Sequence, residues 1–146
     1  MGLWKFLHIL GVVLMVGNVI TTGLWAHWAK SMKEEKLAIF AAESILKADL
    51  FLTFVGGGLI LIPGFIMLKA MQLPFFETQW LLHGTAALLV STLIWLLFLL
   101  PDQYKMKKLA RQNDLENFEK TYHRWSLLGW GATIPLIYGI WVMVVK

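Results

Sequence analysis

The chain has 146 residues, 58% of them hydrophobic, with a mean hydropathy of +0.66. That length is about one domain, and that composition lies outside the range of soluble globular proteins. There is no cysteine, which excludes disulfides, thiolate metal sites and cysteine nucleophiles and leaves the four histidines as the soft-metal ligands.

Four apolar runs stand out, at about residues 3–29, 50–71, 80–100 and 125–145. Each offers about 20 residues or more, enough to cross roughly 30 Å of hydrocarbon at 1.5 Å per residue. Lipid cannot satisfy open backbone groups, so the expected fold is all-α: a single transmembrane domain, an up-down bundle of four helices. The first run exceeds a signal-peptide core and lacks a small-x-small cleavage site, so it is expected to remain as a span.

The first span contains His8 and His27 and ends in a tryptophan pair, Trp25 and Trp28. With Trp125 on the same side and Trp4, Trp80 and Trp141 on the other, these form aromatic belts. Ser31 and Glu34 have capping-box spacing, which predicts a new helix near Met32, continuing from Lys33 to Asp49 as an extension of span two. Within span two, Gly56, Gly57 and Gly58 permit close approach of a neighbour, and Pro63 is expected to kink the helix. Residues 72–77 form a short turn, span three ends near Leu100, and Pro101-Asp102 marks an exit or bend. Asn113 with Glu116 predicts the cap of a helix leading into span four, completing a charged helical collar.

The net charge of +4 invites a nucleic-acid reading, but ten basic residues fall in the connections after spans one and three and only Lys5, Lys69 and Lys146 on the other side. By the positive-inside rule this is an orientation signal: collar cytoplasmic, both termini outside. The mixed charges of the collar, Lys107, Lys108 and Arg111 against Asp114, Glu116 and Glu119, are expected to be a solvated face.

A weak repeat is visible. Spans one and three open with a tryptophan followed by a histidine, His8 and His83, and spans two and four carry glycine ahead of Ile-Pro, at Pro63 and Pro135. It suggests two like hairpins related by an axis along the membrane normal. Counting along the helices sets His8 and His83 about 5 to 6 Å below the terminal-side tryptophans, on diagonal helices of the bundle. Two imidazoles at one depth, between walls thinned by glycines such as Gly11 and Gly57, suit a haem iron. Anchoring at the interface and binding of another metal are the competing readings. His27 lies about 100° around the helix from His8, and His123 sits among charges, so they are the lesser metal candidates. Asn18, near mid-membrane, is placed either to join helices or to bond a ligand's polar edge. Asp49, Glu77 and Asp102 are all assigned to span borders. With no acid deep in a span, a proton-coupled transporter is disfavoured.

The opening Lys5-Phe-Leu-His-Ile-Leu-Gly-Val-Val-Leu-x-Val-Gly-Asn18, the segment Ala48-Asp-Leu-Phe-Leu-Thr53 and the closing Arg124-Trp-Ser-Leu-Leu-Gly-Trp-Gly-Ala-Thr resemble DUF2269, a family of four-span bacterial membrane proteins. That resemblance implies a multi-pass protein of the bacterial inner membrane and confers no reaction. More distantly, Lys-x-Leu-His8-Ile, His27 and Trp80-Leu-Leu-His83 look like the HemJ-type protoporphyrinogen oxidases, which implies haem b held by histidine. The chain departs from that pattern at Gly23-Leu24, where those enzymes carry Pro-Arg, and it has no arginine before Arg111. A cation there would meet the substrate carboxylates. The expectation is therefore a membrane haem b protein with a redox, electron-transfer or gas-binding role. It would be a homodimer through its glycine-bearing faces, working with a redox partner. A HemJ-like oxidase and a cofactor-free scaffold are the alternatives.

Overall fold

The computed structural model describes residues 1–32 and 34–145, so Lys33 and Lys146, both counted in the charge split, lie outside the described residues. Among the described residues five α-helices and one π-helical turn follow in order: α1 (Gly2–Met32), α2 (Glu35–Ala70), α3 (Gln79–Ile94), the π-turn Trp95–Leu99, α4 (Leu100–Arg111) and α5 (Leu115–Val145). The π-turn joins α3 and α4 into one rod of 33 residues. The chain therefore has four long apolar helices, each able to cross a membrane. No strand occurs among the described residues.

Several predicted boundaries shift, each for a local reason. The box of Ser31 and Glu34 does not form: α1 runs on to Met32, Ser31 Oγ donates to the Trp28 carbonyl at 2.8 Å, and Glu34 precedes α2 in extended conformation without capping it through its side chain. Asn113 adopts a left-handed φ of 53° that ends α4. The cap of α5 falls one residue later than expected, on Asp114, whose Oδ1 accepts the Asn117 backbone N–H at 3.2 Å. Span three does not exit at Pro101. A proline ring within a helix clashes with the carbonyl four residues back, here Leu97, and the wide π-turn just before Pro101 accommodates it.

The chain folds as two hairpins. Helix α1 packs along α2 and α3 along α5, while α4 meets both α2 and α5. Small residues set each crossing. In the first hairpin a Cβ on Gly11 would stand 2.7 Å from the Gly56 carbonyl oxygen, and in the second Gly139 faces the Gly84 carbonyl and the Ala87 methyl. The buried core shared by the hairpins is concentrated toward the collar and reaches mid-bundle at Leu99 and Ala132: Ala26 and Ala29 of α1, Ala38, Ala41 and Ile45 of α2, Met106 and Ala110 of α4, and Phe118, Tyr122 and Trp125 of α5 make up most of it. Large apolar side chains such as Phe51, Phe54, Ile62, Leu127 and Ile134 point outward, the inverse of a soluble bundle.

Ion pairs tie the collar between helices. Arg111 binds Glu43, Arg124 binds Asp102, and Lys30 Nζ lies 3.3 Å from Glu119 Oε1. The collar is thus less a purely solvated face than expected, although Lys120 and Glu116 do pair along one exposed helix turn at 2.7 Å.

Candidate functional site

Helix α1 turns one narrow stripe inward, Gly11, Met15, Asn18, Thr22, Ala26 and Ala29, each three or four residues after the last. Two members of that stripe are polar: Thr22 Oγ1 turns back to the Asn18 carbonyl at 2.9 Å, whereas Asn18 meets Asp49 of α2, its Nδ2 donating to Asp49 Oδ1 at 2.5 Å. Gln103 Nε2 donates to the other carboxylate oxygen, Oδ2, which also receives Trp95 Nε1 at 3.4 Å. One carboxylate thus gathers α1, α2, the π-turn and α4. Asp49 is 6% exposed, Asn18 4% and Gln103 1%, so the cluster is enclosed.

Asp49 and Asp102 stand at the ends of the apolar runs, as expected of border residues, but they are not solvated. Both are buried in the bundle, Asp102 at 1% exposure, because α2 and the α3–α4 rod continue past the apolar runs and pack against each other. The disfavouring of transport chemistry rested on the lack of buried acids, and that support falls away. The two acids are compensated differently. Asp102 accepts Arg124 Nε at 2.9 Å and a second guanidinium nitrogen, whereas all three partners of Asp49 are neutral. The amide oxygens Asn18 Oδ1 and Gln103 Oε1 are buried without a hydrogen-bond donor.

The histidines are distributed otherwise. His8 is half-buried, and its Nδ1–H donates to the Ile60 carbonyl at 2.8 Å. That carbonyl belongs to the turn loosened by Pro63, and the bare Gly64 leaves room for the imidazole, since a Cβ there would sit 3.3 Å from Nδ1. A carbonyl can only accept, so in neutral His8 the lone pair is on Nε2. His83 is exposed, with Nδ1 2.8 Å from the Tyr138 hydroxyl. Each imidazole is thus held within its own hairpin, His8 against α2 and His83 against α5. His27 is exposed, and His123 Nε2 lies 2.7 Å from Lys30 Nζ in the collar. Among the described residues no group of three or more His, Cys, Asp or Glu side chains gathers around a metal position. Gly57, expected at a cofactor wall, faces open space, and the close contact to α1 comes from its neighbour Gly56.

Four long apolar helices around a buried polar cluster define an integral membrane protein. The chain belongs to the family DUF2269, described as a predicted integral membrane protein, which matches residues 2–146. Nothing matches among curated proteins or solved structures.

Proposed function

We propose that this is a membrane protein that binds a b-type haem, with His8 as the leading axial ligand and His83 as the second. The observation that carries the reading is the pair of imidazoles tied at Nδ1 to their own hairpins, the arrangement that orients a metal-ligating histidine; it leaves Nε2 of His8 to the iron, and that of His83 when its Nδ1–H donates to the Tyr138 hydroxyl. The hairpins' shared core is concentrated toward the collar and ends at mid-bundle, so the terminal half is where a flat ligand would complete the contact between them. Haem held there supplies one-electron chemistry, or gas binding where one axial position stays open. A porphyrinogen oxidase fits less well. The chain's two arginines, Arg111 and Arg124, are both engaged by carboxylates and leave none for the substrate's. The bacterial inner membrane, a cytoplasmic collar and a homodimer through open glycines such as Gly57 and Gly58 belong to the same proposal.

A cofactor-free scaffold is the second reading, favoured by a parallel between the hairpins. Ser91 Oγ donates to the Ala132 carbonyl at 2.7 Å, three residues before Pro135, as His8 donates to the carbonyl three residues before Pro63. On that reading His8 is a backbone cap. A pyridine haemochrome assay on protein purified from haem-replete cells separates the two: about one haem per chain supports the first, and none supports the scaffold.

A further inference from the structure

A lone carboxylate enclosed by neutral side chains is costly in a low-dielectric interior, and ionised acids there are ordinarily paired with a cation. Asp102, one position before Gln103 on α4, meets that rule through Arg124; Asp49 does not. The other charges of the packed elements are committed or turned away. Glu43 is bound to Arg111, Lys47 is exposed, and α1 has no charged residue between Lys5 and Lys30 apart from its histidines.

The same cluster holds two buried oxygens with no donor, on the two side chains that grip the carboxylate. A carboxamide is nearly symmetric in shape, so a half-turn of Asn18 and of Gln103 exchanges nitrogen for oxygen without repacking. The shell then presents one carboxylate and two amide oxygens from three helices. Hard cations take this all-oxygen donor set, and its single negative charge matches a monovalent ion better than a divalent one. After that turn a protonated carboxyl could donate to only one of the two amide oxygens, whereas an alkali cation can be coordinated by both. The π-turn that presents Trp95 is the kind of helix distortion found at functional sites.

We infer that Asp49, Asn18 and Gln103 form a binding site for a monovalent alkali cation, with sodium as the probe. The inference is independent of haem. The test is thermal unfolding of the full chain in detergent while sodium chloride replaces choline chloride at constant ionic strength, since an ion that binds only the folded state raises Tm saturably. The expected result is a rise with sodium, smaller with potassium, that disappears in Asp49→Asn. Equal Tm in sodium and choline overturns the site, as does a rise that persists in Asp49→Asn. A Tm that depends on pH but not on the alkali ion assigns the site to a proton and overturns the proposal too. If Asp49→Asn does not fold, Gln103→Met serves instead: apparent sodium affinity should fall about tenfold or more, and unchanged affinity contradicts the assignment.

Discussion

Single atoms decide much of the packing here. A methyl group at Gly11 would run into the Gly56 carbonyl oxygen and, at 2.9 Å, the Ile60 backbone nitrogen. Backbone cannot step aside as a side chain can, so Gly11→Ala should destabilise by about 1–3 kcal/mol. Gly57→Ala, which meets nothing within its own chain, should leave the stability of the single chain within about 0.5 kcal/mol. Equilibrium unfolding in mixed micelles reads both. At Asp49 the cost is in polar atoms: Gln103→Leu removes a donor from a buried carboxylate and should destabilise by about 1–3 kcal/mol. Asp49→Leu combined with Gln103→Leu should cost less than the sum of the single changes, because the Asp49–Gln103 hydrogen bond is then lost once and neither of that pair is left facing the gap, and a double-mutant cycle measures the difference. Asn18 was legible as a polar residue with two possible roles. Asp49 was hidden because it abuts the apolar run that begins at Leu50. The signal lay in register, since Asp49 falls four residues after the buried Ile45 on the face that also carries Ala38, Ala41 and Ala42.

At the scale of elements, helix ends carry the testable differences. Asp114 starts α5, and hydrogen bonds from the Asn117 side chain and then its backbone N–H hold the carboxyl below its ordinary value. A depressed folded value means that the stabilisation is complete above the unfolded value and is lost as pH falls through the folded one. Protection of the first turn of α5 against hydrogen exchange, relative to the intrinsic rate at each pH, should therefore fall below the ordinary value of 3.8 in the native chain, and in Asp114→Ala it should be low at every pH. Ser31→Ala, by contrast, should change stability by less than about 0.5 kcal/mol, since Ser31 caps nothing. The apolar runs made the four spans plain from composition. The continuity through Pro101 was not, because a proline signals a break unless the helix widens ahead of it, and nothing in the residue types announces a π-turn.

Over the whole molecule, the two hairpins foreshadowed by the weak repeat are the organising units, joined by a core concentrated toward the collar and by the collar's ion pairs. An equal depth for His8 and His83 was an expectation counted from the tryptophans. Their engagement by separate partners could not be counted in that way, because it depends on which helix lies beside which. The haem proposal turns on whether those two rings reach one iron. The direct measurement is the absorption spectrum of the purified chain beside His8→Ala and His83→Ala, each shown by circular dichroism to be folded. The account predicts a Soret band in the unaltered protein, lost in His8→Ala and shifted toward five-coordinate iron in His83→Ala. A colourless protein from haem-replete cells, or a band unchanged in both variants, would contradict it.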